Sequence, residues 1–217
     1  MTGSNEKGST EEGSTEGEAC DACPNPRFLV GTTSIDDLDA FLGRVRSIRR
    51  ETGAVVQVVD ARYVVSTTQL ERAVARAERA FERGEEVARD RAVETLLYAA
   101  GRRQIDDALE MGVDEGETPA IGIAYASSEE RNEGSSAADG VDVEGALDRL
   151  ADLFADGAAL DPDDSADPTG TRERVAERTD EDRVRAFYDV SDRELAATDG
   201  TLADVIEERV ALLDVEK

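Results

Sequence analysis

Histidine and tryptophan are both absent from the 217-residue chain, and lysine occurs only as Lys7 and Lys217. Without histidine, acid–base catalysis would fall to carboxylates, tyrosine, cysteine or arginine. The chain also has no phosphate-binding glycine loop, dinucleotide fingerprint or serine nucleophile elbow in a suitable context. These absences predict a binding or regulatory protein with no catalytic residues, no cofactor and no metal site.

Cysteine is nearly absent as well, and its two copies, Cys20 and Cys23, form a C-x-x-C pair. Such a pair is half of a zinc site, and no histidine or second cysteine pair completes it. A redox pair would stand at the start of a helix, whereas Pro24 and Pro26 follow here. We interpret the pair as part of a tail. A small redox or metal protein is the alternative, in which deleting residues 1–24 would remove activity.

Long apolar runs are missing too. No stretch approaches the roughly 18 to 20 apolar residues that a transmembrane helix needs. The first residues also lack the basic and then apolar pattern of a secretory signal. Both absences predict a cytoplasmic protein, and the length suits one globular domain with tails.

Aromatic residues make up 4% of the chain, while acids outnumber bases 51 to 25 and give a formal charge of -26. Intrinsic disorder produces such a composition, because high charge and low hydrophobicity prevent a core from forming. A folded surface that is acidified to stay soluble at high salt produces it too. Periodic apolar segments favour the folded explanation, so we expect a protein of a salt-accumulating archaeon.

The chain divides into an acidic tail and a single domain. Residues 1–24 are mostly Gly, Ser, Thr and Glu with little apolar content, which indicates disorder. Residues 25–217 are predicted to form one α+β domain, in which several amphipathic helices pack a mixed sheet. Low-complexity polar segments at 127–140 and 156–170 predict two solvated loops inside this domain.

Apolar periodicity and capping residues place the predicted elements. β-Branched and apolar runs predict strands at 27–33, within 54–65, and at 118–126. Helical spacing predicts a helix that Ser34 caps and that ends before Gly53, followed by helices over 66–83, 90–101, 103–112 and 143–155. Ser191 and Thr201 are predicted to begin the last two helices.

The acidity is unevenly distributed. Residues 41–110 hold thirteen arginines and twelve acids, so the remaining residues hold twelve bases and 39 acids. A surface acidified only for solubility would be acidic throughout, and an anionic partner is one reason to spare this segment. The alternative is that its arginines pair with acids along helix faces, as Arg72 and Arg76 could with Glu78 and Glu82.

The stretch YAAGRRQ, residues 98–104, concentrates groups that suit RNA. Tyr98 offers a ring for base stacking, and Gln104 offers an amide. Arg102 and Arg103 offer guanidinium groups that bind phosphate through fixed geometry as well as charge. Such contacts still operate where molar salt shortens the Debye length to roughly 3 Å. This stretch therefore predicts a nucleic-acid contact.

The chain resembles the small kinase-regulatory subunit of the KEOPS complex in three stretches: VVDARYVVSTTQLERAVARAERAF, VARDRAVETLLYAAGRRQIDDALEMGV and the ending VIEERVALLDVEK. The resemblance covers most of residues 54–125 and about the last twenty residues. Its most specific element is E-x-L-L-Y-x-x-G-x-R-Q-I, which runs from Glu94 to Ile105. The acidic tail and both polar loops lie outside it.

The resemblance implies a non-catalytic subunit with two binding surfaces. The KEOPS complex transfers a threonylcarbamoyl group to an adenosine beside the tRNA anticodon. The implied roles are to bind and stimulate the small kinase/ATPase subunit of the complex, and to help capture the single-stranded CCA 3′ end of tRNA. The implied fold is a small domain with helices packed on a sheet.

The resemblance also implies positions for the two surfaces. The tRNA contact falls on Tyr98, Arg102, Arg103 and Gln104, together with Arg89 and Arg91. The kinase contact falls on the C-terminal helix and tail, at Ile206, Val210, Leu213 and Val215. Each position has a structural alternative, since Tyr98 could be core, Gln104 could cap a helix and Leu213 could pack inward.

Two departures from the family pattern bear on these implied roles. Relatives often have Asn-Ile-Ala before the second central helix, where this chain has Glu86-Val87-Ala88. Many have histidine near the start of the first central helix, where this chain has Gln69. Both departures bear on the tRNA contact more than on the kinase contact. The alternative function is a standalone RNA-end-binding protein without a kinase partner.

Overall fold

The computed structural model describes residues 24–129, 140–160, 174–198 and 200–213. Of the predicted acidic tail, only the last residue, Pro24, is described. Cys20, Cys23 and Val215 lie outside the described residues. The described strands are β1 (Arg27–Ile35), β2 (Val55–Asp60), β3 (Gly116–Tyr125) and β4 (Ala158–Leu160). The helices are α1 (Leu38–Thr52), α2 (Thr67–Arg83), α3 (Arg91–Ala99), α4 (Ile105–Leu109), α5 (Val143–Ala151), α6 (Glu181–Phe187), α7 (Asp192–Ala197) and α8 (Leu202–Leu212).

The strands form one sheet in the order β2-β3-β1-β4, which confirms the α+β class. All described pairings are antiparallel, whereas the sequence predicted a mixed sheet. The reason is the place of β3. It pairs antiparallel with both β1 and β2, so these two strands run in the same direction but never touch.

Strand β1 is longer than predicted, and the first helix starts later. Ser34 pairs with Glu117 and Ile35 pairs with Gly116 in the sheet, so neither residue belongs to a helix. The N-cap of α1 is Asp37, whose side chain accepts a hydrogen bond of 2.9 Å from the Ala40 amide. The prediction that Ser34 caps this helix was wrong, because pairing with β3 outweighs the local capping pattern.

The other predicted helix starts agree with the structure. Ser66 caps α2 through the Gln69 amide at 3.1 Å, and Asp90 caps α3. Thr201 and Asp204 form a reciprocal capping box at the start of α8. Short polar side chains that satisfy free amide groups therefore marked these boundaries correctly.

Side chains alternate between two cores, one on each face of the sheet. In β1, Phe28 and Val30 belong to one core, while Leu29 belongs to the other. The first core is completed by α2, α3, α6 and α8, and the second by α1 and α5. Helices therefore cover both faces, which explains why β3 is buried along most of its length.

The two predicted polar loops are partly structured. Ser127 and Ser128 are buried at 4% exposure, and the Ser128 amide donates to Glu78 at 2.6 Å. In the second segment, residues 158–160 form β4 and pair with β1. The prediction of solvated loops was therefore wrong at these positions. Glu78 accepts the buried amide of Ser128 in the first segment, and β4 pairs with the edge of β1 in the second. The rest of both segments lies largely outside the described residues.

None of the helices in the described part of the chain combines the length and the apolar character that crossing a membrane requires.

Candidate functional site

The predicted RNA-contact residues lie at opposite ends of α3. Arg89 and Arg91 flank its first turn, whereas Arg102, Arg103 and Gln104 follow its last turn. A helix of nine residues is about 13 Å long, so the six predicted residues do not form one patch. Each end has to be considered separately.

Gly101 ends α3 in the left-handed conformation, with a φ of 60°. The Arg102 amide then donates to the Leu97 carbonyl at 3.0 Å, as in a helix C-terminal motif. A side chain at Gly101 would be strained by this φ, which gives a physical reason for glycine at the turn.

Tyr98 does not offer a stacking ring at this turn. Its exposure is 3%, and it belongs to the first core together with the neighbouring apolar residues of α3. The reason is that α3 is buried on most of its circumference, since α2 and the sheet cover it. The structure therefore corrects the predicted role of Tyr98 and supports the core alternative.

Arg102 and Arg103 are half-buried and bind the C-terminal part of the chain. Arg102 donates through Nη2 to the Phe187 carbonyl, and its guanidinium carbon lies 5.1 Å from the centre of the Phe187 ring. Arg103 donates through Nη1 to the Leu213 carbonyl at 3.4 Å. Both guanidinium groups thus tie α6 and α8 to the turn, so they are engaged within the chain and do not point outward as an RNA contact would require.

Gln104 is exposed and stands at the N-cap of α4, but its side chain makes no capping hydrogen bond. Its amide is therefore available at the surface. Among the six predicted residues, only Gln104 and Arg89 are exposed, and α3 separates them.

Arg91 is held by carboxylates. Its Nη1 lies 3.0 Å from both carboxylate oxygens of Glu78, its Nη2 lies 2.9 Å from Glu129, and its guanidinium stacks 4.2 Å from the Phe81 ring centre. Burial lowers the pKa of Arg91, but the charges and hydrogen bonds of Glu78 and Glu129 offset this, and the net shift in its pKa is upward. Arg91 is thus held in a structural ion pair, and its Nη2 side meets the exposed Glu129.

Glu94 organises the loop that precedes α3. Its carboxylate is 2% exposed and accepts hydrogen bonds from the Val87 amide at 3.0 Å and the Ala88 amide at 2.7 Å. Burial raises the pKa of Glu94, and these two hydrogen bonds oppose the rise. Because the contact uses backbone groups, it does not depend on the side chain of Glu86, which is exposed. The departure from Asn-Ile-Ala therefore leaves this anchor intact.

Gln69, which stands where many relatives have histidine, is a buried structural residue. Its oxygen accepts from the Val65 amide at 2.9 Å. Its nitrogen donates to the Ala99 carbonyl at 3.1 Å and to the Tyr188 hydroxyl at 2.7 Å. Burial also raises the pKa of Tyr188, which keeps its hydroxyl protonated. Gln69 thus joins α2, the end of α3 and the end of α6.

Replacing Gln69 by leucine is expected to destabilise the fold by about 2 kcal/mol, because buried donors and acceptors lose their partner. Urea unfolding followed by circular dichroism measures this change. Leucine at exposed Gln104 is the matched control and should change stability by no more than about 0.5 kcal/mol. Equal effects of the two substitutions would contradict the structural role of Gln69.

The predicted kinase-contact residues of α8 face inward. Ile206 and Val210 are fully buried, and Leu213 is 8% exposed. All three belong to the first core, where α8 packs against α2. These three side chains are therefore not at the surface of this structure, because an apolar stripe buries itself against the nearest helix when one is available.

Exposed apolar side chains lie nearby instead. Ile105 and Leu109 are 40% and 53% exposed and stand four residues apart on α4. Leu212, at the end of α8, is 48% exposed. The Arg103–Leu213 hydrogen bond brings the chain before α4 next to the end of α8. We refer to Ile105, Leu109 and Leu212 as the α4–α8 surface.

A second feature missed from the sequence is a cleft of about 730 Å³ between α1, the start of β2 and the start of α3. Its charged and polar lining consists of Arg46, Arg49, Arg50, Arg91, Ser127 and Glu129. We refer to these residues as the arginine cleft. The segment RVRSIRR, residues 44–50, carries the only sequence signal for it, and that segment does not reveal that Arg91 joins it.

Among the described residues, there is no cluster of three or more side chains of the types that bind metal ions. A comparison with curated proteins gives no match to this chain. A family model described as kinase binding protein CGI-121 matches residues 44–214, which is well over half of the chain. The matched region contains α2, α3, α4, α8 and most of α1. The chain therefore belongs to the CGI-121 family of kinase binding proteins.

Proposed function

We propose that this protein is the non-catalytic regulatory subunit of a KEOPS complex in the cytoplasm. In this role it binds and stimulates the small kinase/ATPase subunit and helps capture the CCA 3′ end of tRNA for threonylcarbamoyladenosine modification. The observation that carries the proposal is the family match over residues 44–214, whose description is kinase binding. The chemistry belongs to the partner subunits, and this chain supplies binding surfaces.

The α4–α8 surface is the proposed kinase contact. Exposed apolar residues that lie close together are typical of protein interfaces. The acids Asp106, Asp107 and Glu110 are exposed on and beside α4. Such an arrangement suits an interface with an apolar centre and a charged rim. It also keeps the predicted C-terminal region in the contact, with Leu212 in place of the buried residues of α8.

Aspartate at both Ile105 and Leu109 is expected to weaken kinase binding roughly tenfold or more, because two charges would be desolvated in the interface. The kinase and each variant are mixed in potassium chloride, and affinity is measured by calorimetry alongside ATP turnover. Loss of affinity should be accompanied by loss of stimulation.

Two exposed apolar residues elsewhere provide the matched control. Leu42 on α1 is 37% exposed, and Val87 before α3 is 47% exposed. A Leu42→Asp/Val87→Asp variant introduces the same charges and should bind the kinase like the wild type. If both double variants bind equally well, the α4–α8 surface is not the contact. If the wild-type protein neither binds the kinase nor changes its ATP turnover, the proposed function fails.

The proposed tRNA contact is supported by the arginine-rich centre of the chain, which is nearly neutral within a protein of charge -26. The alternative of a standalone RNA-end-binding protein shares this contact but has no kinase partner. The kinase-binding experiment separates the two, since only the regulatory subunit requires the α4–α8 surface.

A further inference from the structure

The arginine cleft concentrates positive charge in a strongly acidic chain. Four of its lining residues are arginines, and Glu129 is its one acidic lining residue among the described part of the chain. Its volume of about 730 Å³ is within the range of small-molecule and nucleotide sites. A cleft lined by four arginines is unexpected in a chain with an overall charge of -26, so the positive charge needs a local physical reason.

Two of the arginines form fixed walls. Arg49 donates to Asp90 at 2.8 Å, and its side chain is 27% exposed. Burial raises the pKa of Asp90, but the hydrogen bond and charge of Arg49 lower this pKa by a larger amount, with help from backbone hydrogen bonds. The net shift in the pKa is therefore downward. Arg91 on the opposite wall is 14% exposed and held by Glu78. Both guanidinium groups are therefore positioned before any ligand arrives.

The other two arginines keep their charge available. Arg46 and Arg50 are exposed, and no carboxylate of the described residues lies within 4.0 Å of either guanidinium group. Arg50 donates through Nη2 to the neutral Ser47 hydroxyl at 2.9 Å. They stand four residues apart on α1, where like charges repel. An anion between them would remove this repulsion.

Glu129 is placed where an anion could replace it. Its side chain is 81% exposed and bonds Arg91 Nη2 at 2.9 Å. An incoming phosphate could accept the same N–H group, and Glu129 would move into water without leaving a buried charge. Glu78 would still hold the Nη1 side of Arg91.

We propose that the arginine cleft binds phosphate groups of a single-stranded RNA, with Arg46 and Arg50 as the principal ligands. Phosphate is the class of ligand because arginine forks match its oxygens, and no aromatic side chain of the described residues lines the cleft to stack a base. The inference deepens the proposed tRNA contact and rests on it for the identity of the strand. A free nucleotide offers the same phosphate chemistry, and the experiment below distinguishes the two sources.

The test compares two double variants of equal charge by fluorescence anisotropy. Arg46→Glu/Arg50→Glu changes the cleft, whereas Arg44→Glu/Arg79→Glu changes two exposed arginines that do not line it. The probe is a short labelled RNA that ends in CCA, measured over a range of potassium chloride concentrations in which circular dichroism shows all proteins folded. An Arg46→Gln/Arg50→Gln variant removes charge without reversing it.

The cleft variant should bind RNA roughly tenfold or more weakly, and the control should bind within about twofold of the wild type. Loss of two phosphate contacts should also reduce the slope of log affinity against log salt by about 1.4. The glutamine variant should fall between the wild type and the glutamate variant. An unlabelled nucleoside triphosphate is the competitor. If it displaces RNA readily, a free phosphate compound is the source, and if it does not, the RNA strand is.

Three results would overturn the inference. The first is equal RNA affinity of the cleft variant and its control. The second is RNA binding that is lost on Arg102→Glu/Arg103→Glu but kept in the cleft variant, which would leave the tRNA contact at the turn after α3. The third is a wild-type protein that binds neither the labelled RNA nor the nucleoside triphosphate. Kinase binding is measured on the cleft variants and on the Arg44→Glu/Arg79→Glu control and should be unchanged, so failure of the cleft is distinguishable from failure of the proposed function.

Discussion

Leucine in place of Arg91 is expected to lower the free energy of unfolding by about 3–5 kcal/mol, the cost of leaving a buried charge without its partner. The Glu78 side chain is 2% exposed, and Arg91 contacts both of its carboxylate oxygens at 3.0 Å. The Ser128 amide, at 2.6 Å, would remain as a hydrogen-bond donor to it but would not neutralise its charge. Urea unfolding measured by circular dichroism gives the change.

A double-mutant cycle separates this ion pair from simple packing. Leucine at both Glu78 and Arg91 removes the uncompensated charge and should recover a substantial part of the loss. Full recovery is not expected, because the Ser128 amide then loses its acceptor. The matched control is Arg149→Leu, whose partner Glu51 lies 3.3 Å away with both side chains about half exposed.

The Arg149 substitution should cost at most about 1 kcal/mol, since water screens an exposed pair. A loss below about 1 kcal/mol for Arg91→Leu would contradict a stabilising role for the buried pair. The large expected effect also explains why Arg46 and Arg50, which are exposed, are better probes of the arginine cleft.

The sequence predicted α2 and the starts of α3 and α8 well, because caps and apolar periodicity are local. Ser66, Asp90 and Thr201 satisfy free amides one turn away, and no distant residue is needed. The start of α1 was mispredicted, because the pairing of Ser34 with Glu117 joins residues far apart in the chain. β4 was missed for the same reason, since it gains its stability from β1.

The site was harder to predict because identical local patterns have opposite outcomes. Ile206 and Val210 stand four residues apart on α8 and are fully buried. Ile105 and Leu109 have the same spacing on α4 and are exposed. Periodicity indicates that one helix face is apolar, but the tertiary fold decides whether that face meets the core or a partner. Tyr98 was misplaced for this reason too.

The arginines show the same limit for charge. On sequence grounds, the balanced centre had two explanations, pairing with acids or binding an anion. The structure shows arginines of two kinds, because Arg49 and Arg91 are paired with acids, while Arg46 and Arg50 have no carboxylate within 4.0 Å among the described residues. Which arginine belongs to which class depends on acids that lie 13 to 41 residues away along the chain, and composition contains no such information.

Alanine in place of Ile206 is expected to destabilise the protein by about 2–5 kcal/mol, because the removed side chain leaves a cavity between α8 and α2. Leu212→Ala on the same helix should change stability by no more than about 0.5 kcal/mol, since Leu212 is 48% exposed. Urea unfolding of both variants measures the difference.

Kinase binding should rank the two variants in the opposite order once it is expressed per folded molecule. Ile206→Ala should bind with the wild-type affinity, because its side chain lies behind the surface, whereas Leu212→Ala should bind more weakly. An Ile206→Ala protein that keeps its full stability but loses the kinase would restore the inward-facing stripe of α8 as the contact. It would then follow that α8 turns outward in the complex, and the α4–α8 surface would lose its support.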